Sequence, residues 1–205
     1  YFSCSEKVKI DLFLRYGSIA AAGDRHLAEF CPGDWYLKDK ETVEKWGFAL
    51  TPVSWRKCDL EKRLERSERL YSGEEKFELK ETGEEGVQQI RALLGLGDLV
   101  TNVNIPNYGQ IPNLPIGAVV ETNACFRANS LNPVFAGNIP QAIYPLISRV
   151  CGEQEQVVDC ALNRDLDGVF NAFAADPNMC ISVSDARKLF DEMVDNTKEY
   201  LKMYF

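Results

Sequence analysis

Residues 93–128 read LLGLGDLVTNVNIPNYGQIPNLPIGAVVETNACFRA, and within them the periodicity of the chain changes. Just upstream, Val87, Ile90, Leu93 and Leu94 recur three and four residues apart, which lines one face of a helix, and Gly95 and Gly97 stand where such a helix would stop. Leu99-Val100 with Val103 and Ile105, then Ala118-Val119-Val120 through Phe126, are short β-branched runs of the kind that form strands. Between them lies Pro106-Asn107-Tyr108-Gly109-Gln110-Ile111-Pro112-Asn113-Leu114-Pro115, where three prolines restrict the backbone and Asn and Gln amides await partners. A helix, a strand, a stiff polar loop and a second strand in succession point to α+β and away from all-helical.

Outward from this unit the chain reads as helix. Over residues 5–17, Val8, Leu12 and Phe13 have helical spacing and Gly17 is a natural stop. Residues 52–72 alternate charge densely, with only Leu60, Leu64 and Tyr71 as a narrow apolar stripe, which predicts a long solvated helix. Further helices are expected over 84–96, 140–162, 165–174 and 184–204, the last capped by Ser182 or Ser184. The expected fold is helix-rich α+β with a small, mostly antiparallel sheet, and 205 residues at 45% hydrophobic suit one compact domain with a substantial core.

Charge narrows the partners. Twenty-three Lys and Arg against 31 Asp and Glu leave a net charge of -8, which argues against nucleic acid and against an anionic membrane surface. Seven cysteines without a C-x-x-C pair suggest a reducing cytoplasm rather than a disulfide framework. No apolar run is long enough to span a bilayer, and the N-terminus YFSCSEKVKI has neither an initiating Met nor a signal-peptide core, so Tyr1 is expected to be a boundary within a longer protein.

Few residues are equipped for catalysis. His26 is the single histidine, so any nucleophile activated by imidazole would need it, and there is no G-x-S-x-G. One His with scattered Cys does not supply a complete metal site. Asp165 and Asp167 resemble the start of a calcium loop, but Val169, Phe170 and Ala172 then fall where ligands belong, so a turn and helix cap is expected. Gly95-x-Gly97 precedes a strand and cannot cradle a phosphate as a helix-opening glycine loop does. What remains is Gly23-Asp24-Arg25-His26, a carboxylate, a guanidinium and an imidazole after a small-residue turn, which either converge on a ligand or brace a loop.

The stretch LFLRYGSIAAAGDRHLAEFCPG, the segment LTPVSWRK and the long run from Leu93 to Ala124 together resemble the C-terminal half of glycoside hydrolase family 4, over most of the chain. Within the family, SWRK and LVTNVN lean towards the α-galacturonidase branch and AAGDRHLAEF is shared in style with α-galactosidases, which stand as the alternative. A binding module that keeps the fold without catalysis is a further alternative. The resemblance implies a fold like the C-terminal domain of lactate and malate dehydrogenases, and a role in subunit interfaces of a homo-oligomer. It also implies chemistry outside the two-carboxylate scheme: NAD oxidises the sugar at carbon 3, a base removes the proton at carbon 2, and the aglycone is eliminated, with manganese polarising the neighbouring oxygens. By the same resemblance Asp24 is the proton acceptor, with Arg25, His26, Asn107 and Gln110 as contacts to a carbohydrate substrate. Arg25, or less directly Arg56 or Lys57, would meet a uronate. The metal ligands and the NAD-binding loop belong to an N-terminal Rossmann-type domain, so no cofactor or metal site is expected in residues 1–205, which form a single domain.

Overall fold

The computed structural model describes residues 3–80 and 82–204. Four short helices open the chain: α1 (Lys7–Tyr16), α2 (Asp24–Glu29), α3 (Gly33–Tyr36) and α4 (Lys40–Trp46). Helix α1 stops at Gly17, whose φ of 70° is open to glycine without the Cβ penalty, and the Gly17 N–H closes on Phe13 O at 2.8 Å. Of its expected apolar face, Val8 and Leu12 are buried while Phe13 is exposed. Helix α4 is started by Asp39, whose carboxylate accepts the Thr42 N–H at 2.8 Å.

These helices share one apolar cluster of Val8, Leu12, Ala28, Cys31, Tyr36, Val43 and Phe48. Tyr36 is its polar exception: it stacks edge-on against Trp46, and its hydroxyl donates to Asp11 Oδ2 at 2.6 Å. Arg15 bonds the same Asp11 oxygen at 2.5 Å and lies over the Trp35 ring. The buried hydroxyl is thus satisfied by an ion pair at the edge of the cluster.

Helix α5 (Val53–Ser72) carries no buried residue along its 20 positions, and α6 (Gly86–Leu93) is shorter than its apolar pattern suggested. Gly95, at φ 77°, turns the chain out of α6 towards the sheet. Strands β1 (Leu99–Pro106), β2 (Val119–Arg127) and β3 (Ser130–Pro133) pair antiparallel in that order, with Leu99 opposite Phe126 and Pro106 opposite Val119. Alternation along β2 buries Val120, Thr122, Ala124 and Phe126. Ala124 and Phe126 pack with Ile105 and Ala92 of α6, whereas Val120 joins Ile111 and Leu114 in a second patch.

The last third is helical. Helix α7 (Tyr144–Leu162) packs beside α8 (Leu166–Ala175), which α9 (Val183–Thr197) covers through Phe170, Ala186 and Phe190. Asp165 caps α8 by accepting the Gly168 N–H at 2.9 Å, as a turn and not as a calcium ligand. Ser182 caps α9 by accepting the Asp185 N–H at 3.2 Å. That helix ends at Thr197 instead of running to Tyr204, and two 3-10 turns follow.

The architecture is the expected helix-rich α+β with a small antiparallel sheet. The single substantial core is not observed. Among the described residues the buried apolar side chains fall into four separate clusters, and large apolar side chains such as Leu14, Ile19 and Leu162 remain more than 70% exposed. Helices α1–α4 are short and the long α5 and α7 bury no residue fully, so each group of elements buries its own small patch.

Candidate active site around Asp24

Asp24 is the first residue of α2 and is completely buried. It reaches α1, whose first-turn N–H groups have no preceding turn to accept them, and Glu6 at the N-cap makes no side-chain cap. The Lys9 N–H, one of these, donates to Asp24 Oδ1 at 3.0 Å. Asp24 therefore caps a helix from across the fold, and the helix end favours its negative charge. Its other oxygen, Oδ2, is buried with no hydrogen-bond partner among the described residues. An unsatisfied buried carboxylate oxygen is costly, so its retention calls for a partner that arrives from outside.

A small cavity of about 100 Å³ lies here, lined by Ser3, Cys4, Gly23, Asp24, Arg25, His26 and Ala49. Cys4 Sγ accepts the Asp24 N–H at 3.4 Å. Arg25 donates to Thr51 Oγ1 at 2.5 Å and approaches His26 Nε2 at 3.3 Å, while His26 Nδ1 stands 3.3 Å from Glu29 Oε2. The imidazole side chain is about half exposed. The lining thus brings together Asp24, Arg25 and His26. Two larger clefts, of about 1010 and 570 Å³, are walled mainly by aliphatic and aromatic side chains, with Glu29, Glu153, Asp176 and Asn178 at the first and Glu121 and Glu155 at the second; neither includes Asp24, Arg25 or His26.

Asn107 and Gln110 have a different office. The Asn107 amide donates to the carbonyls of Ile111, Leu114 and Pro115 at 2.9–3.1 Å, and its oxygen accepts from Gly109 and Ile111 N–H. Gln110 donates to Pro106 O and accepts the Tyr108 N–H. Both are buried, and the bonding they make is internal to the loop between β1 and β2. Their assignment as sugar contacts is revised accordingly: three prolines and a short loop leave carbonyls facing inwards, and these amides satisfy them. Asn113 fastens the loop to the segment before α7 through both directions of a bond pair with Ile139. Arg56 and Lys57 are exposed in the first turns of α5 and do not line the Asp24 cavity.

Cys4 Sγ and one carboxylate oxygen each of Glu6 and Asp24 lie within 4.8 Å of one another, the arrangement nearest to a metal site among the described residues. The set does not fit a resident manganese. Manganese prefers oxygen donors to thiolate, and Lys9 Nζ already holds Glu6 Oε2 at 2.7 Å, drawing that carboxyl below its usual range. Gly95 and Gly97 leave α6 and enter β1, so they offer no helix N-terminus to a dinucleotide phosphate.

Residues 1–179 match the model for the family 4 glycosyl hydrolase C-terminal domain. The chain belongs to glycosyl hydrolase family 4. An α-galacturonidase of Thermoanaerobacterium saccharolyticum is 65% identical over 200 residues, covering 98% of this chain and 43% of that protein. The crystal structure of lplD from Bacillus subtilis is 48% identical and superposes with a TM-score of 0.85, covering 93% of this chain and 43% of that one. A 6-phospho-α-glucosidase from gut microorganisms, solved with NAD and Mn2+, shares the fold at 18% identity and a TM-score of 0.62, over 93% of this chain and 41% of its own. The family 4 domain therefore spans less than half the length of these relatives.

Within this family 4 domain, the structure groups Asp24, Arg25 and His26 and sets Asn107 and Gln110 apart as loop supports. Cys4, Lys9 and Thr51 join the first three without having been singled out. Lys9 acts through its main chain, so no side-chain signal marks it; Thr51 stands in the LTPVSWRK segment.

Proposed function

We propose that residues 1–205 are the substrate-binding domain of an α-galacturonidase and that Asp24 is the proton acceptor of its reaction. The observation that carries this reading is the Asp24 carboxylate itself: one oxygen is fixed by a helix N–H, the other is buried without a partner among the described residues, and Asp24 lines a cavity. A base built this way presents a single lone-pair direction to a carbon-bound proton and needs no reorientation. Asp24 Oδ2 takes the proton from carbon 2 of the sugar. Arg25 faces the carboxylate that distinguishes a galacturonide from a galactoside, where a guanidinium pairs bidentately. His26, half exposed beside it, hydrogen-bonds a sugar hydroxyl.

NAD and a divalent metal, held by an N-terminal domain in the complete enzyme, supply hydride exchange and polarisation of the sugar oxygens. Exposed apolar side chains such as Leu14, Ile19 and Leu162 suit contact with that domain. No helix among the described residues is long and apolar enough to cross a membrane, and the seven cysteines are free, which suits an enzyme of the reducing cytoplasm.

The test is turnover of p-nitrophenyl α-galacturonide by the complete protein, with NAD and Mn2+, in deuterated water. Deuterium should appear at carbon 2 of the released sugar, because the proton taken by Asp24 exchanges with solvent before it is returned. Hydrolysis with carbon 2 unlabelled would assign the chemistry to another mechanism.

A further inference from the structure

Helix α5 is 20 residues long and buries none of them against the described chain, yet its exposed face is not uniformly polar. Val53, Leu60, Leu64 and Tyr71 lie on one stripe and are 71, 49, 56 and 96% exposed. Numbered as a heptad, Val53, Leu60 and Ser67 take position d, and Lys57, Leu64 and Tyr71 take position a, so the stripe has the geometry of a coiled-coil seam. Lys57 and Ser67 are its polar interruptions. A lysine at one a position is a known cost in stability that limits the permitted registers.

The flanks of the seam carry the decisive information. Position g holds Arg56, Arg63 and Leu70; position e holds Ser54, Glu61 and Glu68. In a parallel pair of identical helices, each g residue meets the e residue five positions on in its partner, which sets Arg56 against Glu61 and Arg63 against Glu68 on both sides of the two-fold axis. An antiparallel pair would oppose Arg to Arg and Glu to Glu. Arg63 also bonds Asp59 of its own helix at 2.9 Å, and a guanidinium with five N–H donors can serve both carboxylates. One flank being basic and the other acidic makes the helix complementary to itself in one orientation only.

We propose that α5 is a self-association surface: it pairs in parallel, in register, with α5 of a second copy of the protein through the Leu60–Leu64–Tyr71 seam and the reciprocal Arg–Glu contacts. This goes beyond the proposed activity and does not depend on it.

The experiment uses the full-length protein with Cys58→Ser, which removes the exposed thiol native to α5. Ser67→Cys, on the seam, should cross-link copy to copy under mild oxidation, whereas Lys62→Cys, on the outer face, should not. In light scattering, the Arg56→Glu/Arg63→Glu variant and the Glu61→Arg/Glu68→Arg variant should each associate at least about tenfold more weakly than wild type, and mixing the two should restore association. Circular dichroism of each variant establishes that α5 still forms. A protein that is monomeric at about 10 μM, as it would be were α5 covered by another segment of its own chain, overturns the proposal. So does an assembly whose affinity both charge variants leave within about twofold, or one in which Lys62→Cys cross-links as readily as Ser67→Cys.

Discussion

The main-chain N–H of Lys9 and the carboxylate of Asp24 meet at 3.0 Å, joining the first turn of α1 to the first residue of α2. One oxygen is held and the other has no partner among the described residues, so the contact orients the carboxylate as well as binding it. In Asp24→Asn the amide oxygen can still accept from Lys9, while the NH2 group replaces the unpartnered oxygen and cannot take a proton. The complete enzyme should then lose more than about a hundredfold in kcat with its unfolding midpoint unchanged or raised. Activity within a fewfold of wild type in a folded sample would place the base elsewhere.

Because the support comes from backbone, side-chain truncation at position 9 should be mild and proline substitution severe. Lys9→Ala removes the partly buried ion pair with Glu6 and leaves the main-chain N–H in place. Lys9→Pro deletes the N–H, at a first-turn position where proline is otherwise tolerated in a helix. Lys9→Pro should depress kcat with little change in KM, and Lys9→Ala should change neither by more than about threefold. Equal behaviour of the two variants would deny the N–H its orienting role.

Asn107 should matter for stability ahead of binding. Its side chain makes five hydrogen bonds to buried or part-buried main chain, and Asn107→Ala strands those groups without water. A loss above about 3 kcal/mol in urea unfolding follows from such stranded groups. If stability held and only KM rose, the amide would be a sugar contact after all.

How far the sequence could have led here depends on the range of each signal. Gly17, Ser182 and the two β-branched runs act on their immediate neighbours, and their elements appear where expected. Helices α3 and α4 have four and seven residues, too few for apolar periodicity to repeat. The extension of α9 to Tyr204 fails at Thr197, whose hydroxyl bonds back to Met193 O at 2.8 Å and competes with the helix. Asn107 and Gln110 were legible as important but not as inward-facing, since the direction of an amide depends on carbonyls that only the folded loop brings near. At Asp24 the residue type was readable; its donor, a main-chain group 15 positions earlier, was not.

Alkaline pH should loosen the N-terminal helical cluster. Burial pushes the Cys31 thiol from its ordinary 9.0 up to about 11. Its protonated form is therefore favoured in the folded state: the contribution is complete below pH 9 and is lost as the unfolded chain ionises between about pH 9 and 11. The loss attributable to this thiol is about 2 kcal/mol. Chemical unfolding of wild type and Cys31→Ala across that range should show a steeper decline in wild type. Parallel curves would mean that the thiol is not protected.

Specificity for a uronate should rest on Arg25, and its surroundings make the test a demanding one. Its guanidinium already bonds Thr51 Oγ1 and approaches His26, so truncation could act by loosening the site instead of by removing a charge. The two effects differ by substrate. A lost uronate contact should cost about 1.5–3 kcal/mol of kcat/KM, or roughly ten- to a hundredfold, for p-nitrophenyl α-galacturonide in Arg25→Gln, and much less for the neutral α-galactoside. Thr51→Val supplies the comparison, because it keeps the cation and removes the hydroxyl that aims it: its galacturonide loss should be smaller than that of Arg25→Gln and in the same direction. Equal losses on both sugars in Arg25→Gln would make the arginine a brace for Asp24 and His26. A wild-type enzyme that prefers the galactoside would move the domain to the α-galactosidase branch, since the cationic partner would then face no carboxylate at all.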